Sequence, residues 1–182
     1  MLVIPNEPDS LYTVLNKFWD GTPCADERLY AEIWVTKVEK GLRIRVQAPE
    51  LENQKIPDAP KEARVDGLWN YDVVELFFVG KDGKYLEVEL GAGGHYLVLG
   101  FKGVRNLEND YKEFATDIRY SQAVPGMWQS GITIPWEMLP KELAGFNAFA
   151  ITDGQFLAMN AVPGNEPDFH QPATYPEASY AA

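Results

Sequence analysis

Between residues 42 and 48 the chain alternates without a break. Leu42, Ile44, Val46 and Ala48 fall on one side, and Arg43, Arg45 and Gln47 on the other. A period of two marks a strand with one face in a core and one in water. The preceding LYAEIWVT (29–36) lies across the short connection KVEKG, so the two segments predict a hairpin. Residues 49–66, PELENQKIPDAPKEARVD, are rich in proline and charge and read as a long loop, of a length that in a compact domain tends to be functional or mobile.

The densest β pattern follows at 67–101. Strands are expected at 72–79 and 85–90, joined through Lys81-Asp82-Gly83-Lys84, with Asp-Gly as the turn signal. Pairing Phe78 with Val88 and Leu76 with Leu90 sets apolar against apolar on one face. Glu75, Phe77 and Val79 then share the opposite face with Glu87 and Glu89. A slip of one residue would mix the two faces. After Gly91-Ala92-Gly93-Gly94, residues His95–Phe101 read as a third strand of the meander.

Further strands are expected at 113–120, 128–134, 146–152 and 155–161. PWEMLPKEL (135–143) reads as one short helical turn opened by Pro135. No segment carries the 3.6-residue period of a long helix. The N-terminus and the tail from 163 to 182, with Pro163, Pro167, Pro172 and Pro176, are expected to be irregular. Short strands with Gly and Pro punctuation predict an all-β fold, a two-sheet antiparallel β-sandwich of the jelly-roll type. A single domain is expected over residues 1–182, with Leu42, Ile44, Val46, Leu76, Phe78, Val88 and Ile134 in its core. Trp34, Trp128 and Trp136 are expected to be packing residues.

Charge removes whole classes of partner. A net −11 with only 16 Lys and Arg repels phosphate, so neither nucleic acid nor an anionic membrane surface is expected as a partner. Cys24 is the only cysteine, which leaves no intrachain disulfide and no thiolate cluster. MLVIPNEPDS has no basic n-region, and no stretch approaches the roughly 20 apolar residues of a membrane span. A cytoplasmic location is expected.

Glu75 stands between Val73-Val74 and Leu76-Phe77-Phe78. A carboxylate in such a run needs water or a partner, because burying it alone is costly. Trp69 and Tyr71 lie just ahead of it. An indole beside carboxylates suits a ligand with one apolar and one polar side, of which a sugar is an example. His95 and His170, 75 positions apart, with Asp168 nearby, lack the tight spacing of a metal motif, and neither metal nor cofactor is expected. Glu75 and Glu87 have the chemistry of a glycosidase pair, which works about 5–9.5 Å apart. No G-x-S-x-G, H-E-x-x-H or P-loop pattern is present, and non-catalytic binding is the expected activity. The alternative from another class is a structural or protein-interaction module.

Several motifs in order carry a family resemblance. These are the hairpin at 30–48, Trp69-x-x-Asp72-x-Val74-Glu75-Leu76-Phe77, Trp128…Ile132-x-Ile134-Pro135-Trp136, and Gly145-Phe146-Asn147 before an alternating strand. Over roughly residues 30–172 the chain resembles family 9 carbohydrate-binding modules and their DOMON-like relatives. LWNYDVVELFF…YLEVELGAGGHYLVL…VPG…PDFH is closer still to small, single-domain, uncharacterised members of that superfamily. The resemblance implies a sugar held between two aromatic side chains, with charged groups on its hydroxyls. Trp69 and Glu75 match the family's first aromatic and its carboxylate. At the second aromatic this chain offers Phe169 and His170 but no tryptophan. Glu87 stands near the position of an expected basic residue, and Arg105 is the candidate replacement cation. The implied ligand-binding set is Trp69, Tyr71, Glu75, Glu87, Arg105, Phe169 and His170.

Overall fold

A computed structural model describes residues 1–114 and 117–182. Strands β1 (Leu2–Ile4) and β2 (Leu11–Leu15) precede the hairpin β3 (Ala31–Val38) and β4 (Gly41–Pro49). A meander follows, of β5 (Val73–Gly80), β6 (Tyr85–Gly91), β7 (Tyr96–Gly103) and β8 (Asn106–Asn109). The chain continues through β9 (Asp117–Ser121), β10 (Met127–Pro135), β11 (Leu143–Thr152), β12 (Gln155–Ala158) and β13 (Ala178–Tyr180). Of the expected strand at 113–120, residues 113 and 114 are not in a strand, 115 and 116 lie outside the described residues, and the rest belongs to β9.

Two antiparallel sheets form the sandwich. One has the order β2-β3-β4-β10-β9, the other β12-β11-β5-β6-β7-β8. Between them lies a dry core to which β3 and β4 supply Ile33, Val35, Leu42, Ile44 and Val46, and β10 supplies Ile132 and Ile134. The facing sheet contributes Leu76, Phe78, Leu86, Val88, Leu90 and Phe146. All seven residues expected in the core are there, and the all-β jelly-roll expectation holds. The helical turn after Pro135 is a single 3-10 turn, Trp136–Met138. Trp128 is buried in the core, whereas half-buried Trp34 sits on the outer surface of the five-stranded sheet, 5.3 Å from Tyr12 and under Arg45.

Two local expectations are corrected. The β5–β6 register is two residues tighter than anticipated: Leu76 pairs with Val88 and Phe78 with Leu86. Gly83, at φ 82°, lets the chain turn back early, and Gly80 N–H donates to the Lys84 carbonyl at 2.8 Å. A shift of two preserves the faces, which is why the apolar pattern could not distinguish the registers. The termini are also less irregular than their prolines suggest. β1 and β13 pair in parallel, which buries Ile4 and Ala178 against the core. Segments of three residues are too short to show a period, so their pairing depends on tertiary contact.

Candidate functional site

The second face of the six-stranded sheet is buried too. Phe77, Tyr85, Leu97, Leu99, Phe101 and Phe149 point away from the core, and Phe169, Tyr175 and Val162 from the C-terminal segment cover them. The cover is mostly aromatic. Phe149 and Phe169 stack with centroids 4.1 Å apart, and Phe77 meets Phe149, His170 and Tyr175 edge-on at 5.3–5.8 Å. The Tyr175 hydroxyl donates to the Phe169 carbonyl and pins the segment.

Where this cover stops, a cleft of about 500 Å³ opens. Trp69, Glu75, Glu87, Arg105, Phe169 and His170 all line it. Tyr71, expected among them, does not: it is partly buried and packs beside Leu68 and Val73 in the outer-face cluster. Residue 71 takes an extended conformation that closes the turn carrying Trp69, and this sends its ring into the packing.

The local sequence explains the placement of Trp69. Gly67 adopts the left-handed conformation (φ 73°) that opens a 3-10 turn at Leu68–Asn70. Leu68 is fully buried and anchors the turn, so the next side chain is thrown outward, leaving Trp69 47% exposed. Asp72 ties the long loop down: its carboxylate accepts from Lys55 N–H at 3.3 Å, and its own N–H donates to the Lys55 carbonyl at 3.0 Å. Asp72 is thereby a structural residue of the D-x-V-E pattern, and Glu75 is the one that reaches the cleft.

Glu75 and Glu87 form the floor, and Glu89 is buried beside them, outside the lining. Each offers an oxygen within 4.8 Å of the others. Glu89 lies directly across from Glu75, while Phe149, Leu97 and Leu99 flank the carboxylates on the adjoining strands. Burial pushes the Glu75 and Glu89 carboxyls well above the usual range, and neighbouring carboxylates add to it. Glu87 is raised to about 7, again chiefly by burial. Among the described residues, no donor other than the neighbouring Glu87 carboxyl reaches the buried Glu89 oxygens.

Arg105, the candidate replacement cation, is paired with Asp168 and not with Glu75. Its guanidinium forms a bidentate pair with Asp168 at 2.8 and 3.2 Å. Asp168 also accepts from His170 N–H at 3.0 Å, so the pair fixes the segment that carries His170. The His170 ring joins Tyr85: Nδ1 is 2.8 Å from the Tyr85 hydroxyl, which also accepts from Arg105 N–H at 3.0 Å. Burial holds His170 down to about 4, so it is neutral at pH 7. His95 is elsewhere, buried, with Nε2 at 2.9 Å from the Ala59 carbonyl oxygen. Among the described residues, His95, His170 and Asp168 do not come together as one ligand set. Tyr85 was missed in the sequence, although its place two residues before Glu87 puts it on the same face.

Sequence comparison gives the family. A UPF0462 protein, the C4orf33 homolog of Rattus norvegicus, is 34% identical over 164 residues, which cover 84% of this chain and 80% of that protein. The chain belongs to the UPF0462 family. The Homo sapiens UPF0462 protein C4orf33 is 31% identical over 163 residues, covering 84% and 79%. No protein-family model matches the chain. Among solved structures, a Bacteroides uniformis protein assigned only provisionally to carbohydrate binding superposes with TM-score 0.71 at 15% identity, over 94% of this chain and 87% of that one. A family 9 carbohydrate-binding module from Caldicellulosiruptor kristjanssonii, solved in complex with glucose, gives 0.61 at 10% identity over 99% and 95%. This UPF0462 chain thus has the fold of the family 9 modules. Among the described residues, no helix is long and apolar enough to cross a membrane.

Proposed function

We propose that residues 1–182 act as a single, non-catalytic module that binds a carbohydrate or similar polyol in the cleft beside Trp69. One observation carries the reading: an exposed indole, two carboxyls, a guanidinium and an imidazole border one concavity of about 500 Å³. That volume suits a small ligand rather than a flat protein partner. The indole face covers the C–H side of a sugar, and the carboxyl and guanidinium groups take its hydroxyls. The fold shared with modules solved with glucose and with cellotriose supports the same reading.

The grip differs from a sandwich of two open aromatic faces. Phe169 is only 6% exposed and its ring lies against Phe149, so it offers the cleft an edge. Trp69 is the platform, and His170 and Arg105, the latter held by Asp168, also border the cleft. Such a polar site binds weakly, since most of its hydrogen bonds replace bonds to water.

The carboxyl spacing invites comparison with a retaining glycosidase, whose pair stands about 5–5.5 Å apart. That chemistry needs one carboxylate held ionised as nucleophile. Here burial raises all three carboxyls, which favours binding over catalysis.

Titration calorimetry with a sugar panel that includes glucose and cello-oligosaccharides tests the proposal. At least one sugar should give saturable heat, and Trp69→Ala should abolish it. No heat from any sugar, or undiminished binding by Trp69→Ala, overturns it. Turnover of aryl glycosides, lost in Glu87→Gln, would instead establish the hydrolase.

A further inference from the structure

We propose that Glu75, Glu87, Glu89 and His170 form a binding site for one first-row divalent cation, manganese, iron(II) or zinc, at the floor of the cleft. The inference does not depend on whether a sugar binds above it.

Glu89 is the first observation. It is 0% exposed, no donor among the described residues other than the neighbouring Glu87 carboxyl reaches its oxygens, and it is aimed at the two carboxyls that open on the cleft. A polar group buried without a partner is strongly disfavoured, and an ionised one more so. Among the described residues no Lys or Arg makes an ion pair with any of the three glutamates, because Arg105 is committed to Asp168. The strand neighbours Phe149, Leu97 and Leu99 supply no donor side chain. Three carboxylates facing one point, without a base, are the arrangement a cation neutralises.

His170 is the second observation, and it lies on a different segment. Its Nε2 stands 3.7 Å from a Glu87 oxygen, too long for a hydrogen bond. Its other nitrogen is held by the Tyr85 hydroxyl. Metal-ligating histidines use the second nitrogen in this way, and the outer hydrogen bond sets ring orientation and tautomer. With a cation bound, Nδ1–H donates to Tyr85 and Nε2 faces the carboxyls.

The three carboxylates set the distances, and the His170 ring, which lies outside their group and nears only Glu87, at 3.7 Å, has to rotate toward them. Ligand atoms opposite one another across such an ion stand roughly 4–4.4 Å apart, twice a bond of about 2.0–2.2 Å. The carboxylate oxygens already gather within 4.8 Å. Oxygen donors with one imidazole and no thiolate favour manganese, iron(II) or zinc over copper(I), and the imidazole tells against magnesium and calcium. Glu75, Glu87 and His170 border the cleft, so the remaining coordination positions face it. The raised carboxyl pKa values describe the ion-free protein, in which protons stand where the cation would.

The test uses the full chain stripped with chelator, then titrated with Mn²⁺ and with Zn²⁺ in the absence of sugar. Calorimetry should give one ion per chain, and thermal denaturation should show a higher Tm with the ion present. Glu89→Gln, nearly isosteric and outside the cleft lining, should weaken binding at least tenfold. Because that variant is buried, His170→Gln provides a second reading with the same expected direction. Electron paramagnetic resonance of bound Mn²⁺ should change in His170→Gln, a response that a purely structural role would not give. Absence of ion binding overturns the proposal, as does unchanged affinity in both variants. Infrared bands of protonated carboxyls that persist at saturating ion would show that Glu75 and Glu89 hold protons instead. Sugar titrations in chelator read the cleft separately, so failure of either idea leaves the other standing or falling on its own result.

Discussion

Strand β6 faces two interiors. Leu86, Val88 and Leu90 point into the space between the sheets, and Tyr85, Glu87 and Glu89 point the other way, yet both sets are shielded from water. The inner face is apolar on nearly every strand it meets, with Ser130 of β10 as a buried polar exception. The outer face packs rings around carboxyls that no cation neutralises among the described residues. Burial on the inner face stabilises by transfer of apolar area and close packing. On the outer face, burial of the glutamates opposes folding, and the aromatic cover from the C-terminal segment has to offset it. Local rules of this kind are broken mainly where a site is kept for a purpose other than stability.

Neighbouring substitutions should therefore act in opposite directions. Val88→Asp puts an unpaired charge into the dry core and should cost about 3–5 kcal/mol or more, enough to unfold a marginally stable domain. Loss of the cooperative denaturation transition checks this. Glu89→Leu, one residue along, removes a buried carboxyl that no base satisfies and should be neutral or stabilising by about 1–4 kcal/mol in chelator. If Glu89→Leu destabilises as Val88→Asp does, the outer carboxyls are satisfied in a way these contacts do not show, and the contrast between the faces fails.

A smaller effect separates the faces by pH, because only the outer one titrates. Glu87 rises from an ordinary 4.5 to about 7 on folding. Between these values the folded chain keeps a proton that the unfolded chain has released. The stability this proton represents is complete below pH 4.5 and lost as pH rises through 7, about 3 kcal/mol for this buried group. Glu75 and Glu89 are raised too and extend the fall to higher pH. His170, lowered to about 4, works oppositely: its contribution is lost as pH falls from 6.5 toward 4. Above pH 6.5 the carboxyls act alone. Denaturant titrations of the chelator-treated protein should thus show stability falling from pH 6.5 to 8.5, with a shallower fall in Glu75→Gln. A stability that rises across that window would contradict the assignment.

The inner face was legible in the sequence because its signal is local. Alternation at 42–48 and an Asp-Gly turn after 72–79 suffice to sort side chains onto faces, and each expected core residue is buried. Trp69 and Glu75 stood out for a related reason, as polar and aromatic groups placed against a strong local pattern. The burial of the outer face was not legible. Glu87 and Glu89 carry no local sign of burial, since their cover comes from residues 162–175, some 75 positions further along. Register failed by two residues for the complementary reason: a two-residue shift leaves every apolar contact in kind, and only the turn geometry at Gly83 selects between them.

The two tryptophans at the ends of the comparison give the smallest expected effect and the sharpest one. Trp128 belongs to the inner core and is 3% exposed, so Trp128→Ala should cost about 3–5 kcal/mol. Trp69 is 47% exposed, and its turn is held by the fully buried Leu68 and by the Asn70 amide, which donates to the Gly67 carbonyl at 3.1 Å. Those anchors survive removal of the indole. Trp69→Ala should therefore cost about 1 kcal/mol or less, within the ordinary range for a surface site. Chemical denaturation of the two variants side by side measures the difference. If Trp69→Ala proves as damaging as Trp128→Ala, the indole is a packing residue that happens to be visible, and the outer face has lost its platform. If it is nearly silent, the protein maintains a large apolar ring in water at the mouth of a carboxyl-floored cleft, where stability gives no reason to keep it.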